Sequence, residues 1–399
     1  MERIHTEPRP DWQRTVEKQG LLFHTSDELV LTDTGNYRAA PKFAWRKIKR
    51  AYWDETACYA FSLDEITAIE TATNELHAMC LAAVQYVIDN RLYPRLRIPE
   101  QFAPMIERSW DEDWPSVYGR FDLCVQPGAR SIKLLEYNAD TPTSLLEAAV
   151  IQWFWLQDKY PSHDQFNSLH ERLIACWKRH RGLLPYRGLH FAHVQDLEDE
   201  MTVGYLRDTA EKAGFRTSAM WIEEIGWDSA KNRFVDPQEK AIGPIFKLYP
   251  WEWMVREEFS AQLLATADQT RWIEPAWKMV LSNKAILPLL WELNPGHRLL
   301  LECYEDGPRG MQAYVKKPIF AREGSNVSIV APGVAVQTGG DYGEEGYIYQ
   351  AYAGLPAFQG YRPVIGSWVV DGEAAGMGIR ESAGLVTDNT SRFAPHFIV

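Results

Sequence analysis

Residues 118–123 read YGRFDL, and residues 135–143 read LEYNADTPT. Between them, residues 124–131 read CVQPGARS, which has the composition of a turn flanked by apolar positions. Two such runs joined by a short segment that contains Pro and Gly predict a β-hairpin. The strands of this hairpin carry an arginine, two carboxylates and an amide at alternating positions.

Side chains alternate between the two faces of a strand, so Arg120 shares a face with Asp122, and Glu136 shares a face with Asn138. A turn centred near Ala129 places Asp122 opposite Glu136 and Arg120 opposite Asn138. Carboxylate and amide oxygens are the ligands that Mg²⁺ takes alongside phosphates. An arginine beside them suits a developing phosphate or oxyanion charge. The alternative is a surface hairpin with one cross-strand ion pair and a turn-stabilising asparagine.

The chain has 399 residues, of which 46% are hydrophobic and 24% charged, and its formal net charge is −12. This balance is typical of a globular protein and argues against a mainly electrostatic nucleic-acid binder. No apolar run approaches the ~20 residues that span a bilayer, so we expect no membrane partner. Five widely spaced cysteines without a C-x-x-C pair, and no signal peptide, predict a cytoplasmic protein.

Changes in pattern along the chain divide it into four predicted regions. Residues 1–110 form an N-terminal helical region, whose clearest helix covers residues 63–92 and starts at the capping-box-like segment Ser62-Leu63-Asp64-Glu65. The hairpin lies in residues 111–185. Residues 186–275 alternate strands and helices, which predicts a Rossmann-like parallel unit, although it lacks G-x-G-x-x-G. Residues 276–399 read as short antiparallel strands with turns.

Basic residues in the last region are candidate phosphate contacts. Lys317 precedes Pro318 at a strand end, and the small-residue turn that follows, with Gly324 and Ser325, can direct backbone N–H groups at phosphates. Lys284 is a second candidate. Arg380 lies within a strand, where an unpaired charge is costly, so it should meet an anion. The alternative is that these are ordinary solvated or structurally paired cations.

Two further segments suit a ligand cleft. The strand end Gln350-Ala351-Tyr352 could present its backbone edge to an adenine. Asp199 and Glu200 begin a helix after the first strand of the parallel unit, where they could hold an amine at the mouth of the sheet. The alternative for these two acids is favourable interaction with the helix dipole.

Taken together, these motifs resemble the synthetase domain of the glutathionylspermidine synthase family. They occur in the family's order along nearly the whole chain: RFD at 120–122, EYNADTP at 136–142, Lys247 followed by WE at 251–252, SNKAILP at 282–288, KPI at 317–319 with GSNV at 324–327, and Arg380. The resemblance implies an α+β, circularly permuted ATP-grasp fold with an inserted Rossmann-like pre-ATP-grasp unit. It also implies ATP and Mg²⁺ as cofactors and an acyl-phosphate route to an amide bond.

The resemblance carries roles to matching positions. It makes Arg120 the catalytic arginine and Asp122, Glu136 and Asn138 the Mg²⁺ ligands. The residues that it assigns to ATP binding are Lys284, Lys317, Gly324, Ser325, Gln350, Ala351, Tyr352 and Arg380. Those that it assigns to substrate binding are Thr141, Ser144, Asp199, Glu200 and Lys247.

The sequence departs from the family at the substrate end. Lys247-Leu248-Tyr249-Pro250 lacks the Thr that follows the equivalent Lys, and Asp199-Glu200 replaces a Glu-Glu pair. Nothing in these residues corresponds to the cysteine amidase domain of the bifunctional members. We therefore predict an ATP- and Mg²⁺-dependent ligase that joins a small-molecule or peptide carboxylate to an amine, with glutathione and a polyamine as the family's default pair. The rivals are a non-catalytic ATP-binding protein of the same fold and a glycosidase-like hydrolase with paired carboxylates.

Overall fold

The structure is a computed structural model that describes residues 1–22, 25–33, 43–184, 188–388 and 391–399. Within these ranges the α-helices are α1 (Trp12–Lys18), α2 (Leu63–Asn90), α3 (Ala103–Asp111), α4 (Gln152–Lys159), α5 (Leu169–Leu183), α6 (Leu197–Lys212), α7 (Trp251–Met254), α8 (Ser260–Ala265) and α9 (Ile286–Leu293). A π-helical turn, Glu147–Ile151, leads into α4, and 3₁₀ turns cover Tyr93–Leu96, Glu100–Phe102, Pro127–Ala129, Ile222–Glu224 and Ala276–Val280.

The strands are β1 (Glu2–His5), β2 (Thr25–Asp33), β3 (Phe43–Ala51), β4 (Ala57–Phe61), β5 (Tyr118–Val125), β6 (Ile132–Asn138), β7 (Gly188–His193), β8 (Arg216–Trp221), β9 (Gly226–Asp228), β10 (Arg233–Val235), β11 (Pro244–Leu248), β12 (Arg271–Ile273), β13 (Cys303–Tyr304), β14 (Tyr314–Pro318), β15 (Ser328–Ala331), β16 (Val334–Gln337), β17 (Tyr347–Ala351), β18 (Arg362–Val370), β19 (Glu373–Ser382), β20 (Arg392–Ala394) and β21 (His396–Ile398).

The predicted hairpin, β5 and β6, lies in an antiparallel sheet with strand order β20-β19-β18-β5-β6, here called the hairpin sheet. Strand β5 pairs with β18, which follows it by more than two hundred residues. Strands β18 and β19 are joined at Asp371 and Gly372, whose φ angles of 54° and 82° fit a two-residue turn that matches strand twist.

A second antiparallel sheet, here called the facing sheet, has the order β13-β17-β14-β15-β16. The sequence predicted one antiparallel series for the last region, whereas its strands divide among this sheet, the hairpin sheet and a sheet in which β21 pairs with β4. Local turn signals identify neighbouring strands in the chain, but they do not identify the more distant strand with which each one pairs.

The parallel sheet contains β12, β11, β7 and β8 in that order, and every neighbouring pair in it is parallel. Helix α6 connects β7 to β8 and packs on the sheet. Because all four strands run the same way, the segments after β7 and β11 leave from the same edge. Ligands bind at this edge in open α/β sheets.

Helix α2 forms the apolar support of the hairpin sheet. It begins at a capping box in which Ser62 and Glu65 satisfy each other's backbone N–H groups, as its sequence predicted. Its buried side chains join the same core as Phe121 and Tyr137, whose rings stack 3.8 Å apart. The hairpin therefore buries one face against the core and leaves its polar face free for a site.

The N-terminal region is not only helical, because β1, β4 and β21 form a sheet there and β2 pairs with β3. The sequence analysis did not identify these strands. All five cysteines are buried thiols. In the part of the chain that the structure describes, none of the helices has both the length and the apolar character needed to cross a membrane.

Candidate active site

The polar face of the hairpin has the predicted register. Arg120 pairs with Asn138, and Asp122 pairs with Glu136. A register shift follows Asp122, between Asp122 and Leu123, which bends the strand beyond the polar pairs. All four side chains line one cavity of about 640 Å³.

Arg120 is held in place by hydrogen bonds and by close packing. Its Nε donates to Asp122 Oδ1 at 2.8 Å, and its Nη1 donates to the Thr143 carbonyl at 2.8 Å. On the neighbouring strand, a Cβ at Gly366 would lie 2.9 Å from Arg120 Cδ. Only glycine leaves room there, so Gly366 is a site residue that the sequence analysis missed; a glycine inside a strand was its signal.

Glu136 faces two lysines from the other side of the cavity. Lys284 Nζ lies 3.2 Å from Glu136 Oε2. Burial opposes ionisation of Glu136, but Lys284 and Lys317 outweigh it and lower the pKa of Glu136 to about 2. The carboxylate is therefore charged at neutral pH.

Lys317 connects the facing sheet to the hairpin. Its Nζ donates to the Leu135 carbonyl at 3.0 Å and to Gln350 Oε1 at 2.8 Å. Gln350 in turn donates to the Leu134 carbonyl at 3.1 Å. Burial lowers the pKa of Lys317. These bonds hold a cation close to the carboxylates without neutralising it by a direct salt bridge.

The two antiparallel sheets enclose the cavity between them. Among the predicted site residues, those that line it are Arg120, Asp122, Glu136, Asn138, Thr141, Asp199, Lys284, Lys317, Gly324, Gln350, Ala351, Tyr352 and Arg380. Apolar side chains from both sheets line the same space, among them Leu135, Val315 and Ile329. The cavity thus combines an apolar slot with a dense set of charges, as expected for a polyanionic ligand that has a flat apolar part.

The loop after β14 contributes Gly324 to the cavity. Gly324 has φ +68°, and a Cβ there would lie 2.8 Å from the Thr387 carbonyl oxygen. The position therefore requires glycine for both its conformation and its packing. Ser325, its neighbour, does not line the cavity.

Arg322, on the same loop, was not predicted from the sequence. Its Nη1 donates to Thr141 Oγ1 at 2.9 Å, and its Nη2 donates to Glu252 Oε1 at 2.6 Å. It lines the cavity and joins the loop to the segment that follows the hairpin. Its sequence neighbours Ala321 and Glu323 gave no signal of this role, because the contact spans nearly two hundred residues.

The amino-terminal end of α6 supplies acidic residues. Asp196 caps the helix by accepting bonds from the N–H groups of Glu198 and Asp199, and all three residues line the cavity. Burial, reinforced by Asp196 and Glu198, raises the pKa of Asp199 to about 7. We call Asp196, Glu198 and Asp199 the acidic patch.

The acidic patch shares Asp199 with the sequence prediction, but it contains Asp196 and Glu198 in place of Glu200. Glu198 lines the active-site cavity, whereas Glu200 lines a separate cavity of about 750 Å³ on the other side of α6. A helix turns about 100° per residue, so Glu200 projects away from Glu198 and Asp199. Ser144, a further predicted substrate residue, lies beside the main cavity and donates from Oγ to Glu198 Oε1 at 3.3 Å.

Lys247 is not brought to the cavity. Its Nζ donates to Asp140 Oδ1 at 2.5 Å and to the Tyr249 carbonyl at 3.0 Å, and its side chain is 0% exposed. Asp140 also accepts the Trp251 N–H at 2.9 Å. This buried pair joins the parallel sheet to the segment that carries Thr141. Its contacts are those of a structural residue that fixes the position of the site.

The hairpin residues fit a magnesium ion. Asp122 and Glu136 present two carboxylates, and Asn138 Nδ2 donates to them at 3.4 Å and 3.5 Å, so the amide would have to turn its Oδ1 towards the ion to act as a ligand. In the described ranges no group of three His, Cys, Asp or Glu side chains is placed to hold a metal. An ion here would therefore need oxygen ligands from a bound phosphate as well.

The sequence matches the family described as "Glutathionylspermidine synthase preATP-grasp" over residues 3–399. The chain belongs to this family. The family assignment made from the motifs in the sequence is thereby confirmed.

One relative is matched over most of its length and another over little more than half of its length. A protein of Haemophilus influenzae named "Putative acid--amine ligase" is 42% identical over 87% of this chain and 91% of its own length. The bifunctional glutathionylspermidine synthetase/amidase of Escherichia coli is 31% identical over 82% of this chain but only 57% of its own length. The chain thus spans a little over half of the bifunctional relative.

A solved structure supports the fold. The glutathione synthetase-like effector of Globodera pallida superposes with a TM-score of 0.56 over 88% of this chain and 91% of its own, at 9% identity. The mixed helix and sheet architecture is therefore shared with a glutathione synthetase-like protein.

Proposed function

We propose that the protein is an ATP-dependent ligase that joins a carboxylic acid to an amine through an acyl-phosphate intermediate. The observation that carries this proposal is the cavity between the two antiparallel sheets, in which Arg120, Glu136, Lys284 and Lys317 converge beside an apolar slot. The names of the relatives, an acid–amine ligase and a glutathionylspermidine synthetase, support the same reaction class.

The part of the cavity where the two antiparallel sheets face each other is here called the nucleotide end. Its residues would act mainly by position and charge. Lys284, Lys317 and Arg380 would contact phosphate oxygens, and the apolar slot that ends at Ala351 and Tyr352 would hold the adenine. A bound Mg²⁺, held by Asp122, Glu136 and Asn138, would neutralise phosphate charge and align the γ-phosphate.

The proposed reaction has two steps. An oxygen of the substrate carboxylate attacks the γ-phosphorus of ATP, which forms the acyl phosphate and releases ADP. The nitrogen of the neutral amine then attacks the carbonyl carbon, the C–O bond to phosphate breaks so that inorganic phosphate leaves, and the amide forms as the nitrogen loses one proton. Arg120, fixed by Asp122 and the Thr143 carbonyl, would stabilise the oxyanion of the second step.

The part of the cavity at the edge of the parallel sheet is here called the substrate end. Its charges would hold the amine and the acid at different places. The acidic patch would attract a cationic amine, and it would repel a carboxylate. Arg322 and Thr141, which are hydrogen-bonded to each other, would receive the acid. Glutathione and a polyamine are the first pair to test, because the relative from Escherichia coli is named for that product.

We also propose that the fold is a circularly permuted ATP-grasp with an inserted Rossmann-like unit. Pairing of β5 with β18 supports the permutation, because the hairpin sheet is built from both halves of the chain. The all-parallel sheet within 188–273 supports the insert. The four regions predicted from the sequence remain the proposed domain division.

ADP release tests the proposed reaction. Purified protein with ATP and Mg²⁺ would be assayed against a matrix of peptides that bear a free carboxylate and of di- and polyamines. We expect ADP release that requires both an acid and an amine, with the amide detected by mass spectrometry. ATP binding without release in any combination would instead indicate a non-catalytic nucleotide-binding protein.

A further inference from the structure

Aromatic side chains form one wall of the active-site cavity. Tyr249, Pro250 and Trp253 follow β11 at the edge of the parallel sheet, and with Leu248 they line the cavity. We call these four residues the aromatic wall. The acidic patch follows β7, which is paired directly with β11, so the two surfaces lie side by side at the same sheet edge.

The aromatic wall is fixed before any ligand binds. Tyr249 Oη donates to Glu257, and the rings of Tyr249 and Trp253 meet edge to face at 5.3 Å. The Arg322 guanidinium lies 5.6 Å from the Trp253 ring centre. Trp253 is nevertheless 39% exposed. A large aromatic surface that its neighbours hold rigid but do not cover is suited to bind an apolar group at little entropic cost.

The charges around the wall decide which substrate it contacts. Arg322 packs against Trp253, bonds to Thr141 and Glu252, and keeps a buried Nε–H group without a hydrogen-bond partner among the described residues, so the wall adjoins a donor from which a carboxylate can accept. The amine would be drawn to the acidic patch instead. The wall is therefore placed to contact the part of the acid that lies beyond its reacting carboxylate.

Building on the proposed function, we infer that the acid substrate carries an aromatic or branched aliphatic group that packs on Tyr249 and Trp253. The aromatic wall selects this acid over one with only small polar groups. Polar side chains would be expected at the wall if the protein bound a wholly polar acid, because an apolar surface gives such a ligand no hydrogen bonds.

A matched series of acids tests the inference. The full chain, with ATP, Mg²⁺ and spermidine, would be assayed for ADP release with γ-glutamyl-X-glycine peptides in which X is Ala, Leu or Phe. We expect kcat/KM to rise from Ala to Leu to Phe by about tenfold or more, the range over which apolar contacts discriminate. In Trp253→Ala, the ratio of the Phe peptide to the Ala peptide should fall at least about tenfold.

Trp221→Ala is the matched control, because Trp221 is 44% exposed and does not line the cavity. It should keep the wild-type preference. When the amine is varied instead, in a series of increasing apolar length, Trp253→Ala should leave the preference among the amines unchanged. Three outcomes would overturn the inference: a preference for the Ala peptide, a Phe/Ala ratio that is unchanged in Trp253→Ala, or an effect of Trp253→Ala that is confined to the amines. In each case the release of ADP would still support the ligase reaction. Absence of ADP release with every acid and amine would overturn both.

Discussion

The two ends of the cavity are built differently. At the nucleotide end, side chains from two antiparallel sheets face each other. Lys317 of the facing sheet contacts a carbonyl of the hairpin sheet, and Lys284, which lies just before α9, contacts a carboxylate of that sheet. At the substrate end, the acidic patch and the aromatic wall leave the edge of a parallel sheet in segments that follow its strands.

The difference explains where this sequence keeps the family pattern and where it departs from it. Residues fixed within paired strands have their positions set by backbone hydrogen bonds, and any ATP-dependent reaction needs the same charges there. Segments that follow a sheet edge can change side chains without disturbing the sheet. We therefore propose that the nucleotide end defines the reaction and that the substrate end defines which molecules react.

The largest expected effect lies at the nucleotide end. Glu136→Ala should lower kcat by roughly a thousandfold, because it leaves Lys284 and Lys317 without their carboxylate and removes a proposed Mg²⁺ ligand. Steady-state ADP release measures the loss, and circular dichroism should show an unchanged fold. Arg130→Ala, at the exposed turn of the same hairpin, is the control. Near-normal turnover in Glu136→Ala would remove the basis for assigning this end to catalysis.

A second prediction concerns the buried ion pair between Lys247 and Asp140, which joins the parallel sheet to the segment that carries Thr141. Lys247→Met should lower the free energy of unfolding by about 3–5 kcal/mol, because it leaves Asp140 charged and buried without its partner. Denaturant unfolding measures the change. Lys240→Met, an exposed lysine of the same region, should stay within about 0.5 kcal/mol of wild type. If Lys247→Met is as stable as wild type but loses substrate affinity, Lys247 belongs to the substrate site after all.

A smaller effect distinguishes two neighbouring acids on α6. Glu198→Gln should raise the KM for the amine by about tenfold, because it removes one charge of the acidic patch from the cavity. Glu200→Gln should change it by less than about twofold, because Glu200 lines the separate cavity. The KM of each variant is measured at saturating ATP and acid. The reverse order of effects would support the sequence prediction over the structure.

The smallest effect is a dependence on pH at the substrate end. Because the pKa of Asp199 is raised to about 7, its carboxylate gains a proton as the pH falls below that value. The patch then loses negative charge, so the KM for a cationic amine should rise severalfold between pH 8 and pH 6, by roughly the cost of one exposed ion pair. Asp199→Asn should remove the dependence. An unchanged slope in that variant would assign the titration to another group.

Sequence reasoning was most successful where the pattern is local. The Ser62 and Glu65 capping box marked the start of α2, and alternation along the hairpin gave the register of Arg120 with Asn138 and of Asp122 with Glu136. Both depend on contacts between residues close in sequence, so composition and spacing suffice to predict them.

Sequence reasoning was less successful where the contact is distant or depends on helix rotation. Arg322, Glu198 and Gly366 enter the site through partners in other parts of the chain. Lys247 has the same charge whether it binds a ligand or a buried aspartate, so its sequence alone does not distinguish the two environments.

The sequence by itself determined the family, and it gave the reaction class to be tested and the charged residues proposed for the nucleotide end, because the identities and order of these motifs along the chain are specific. Only the tertiary structure decided which acids face the cavity, which lysine is buried in an ion pair, and that an aromatic wall adjoins the acidic patch. The physical reason is that β7 and β11 are neighbours in a parallel sheet although more than fifty residues separate them, and the chain order does not show which surfaces meet at their ends.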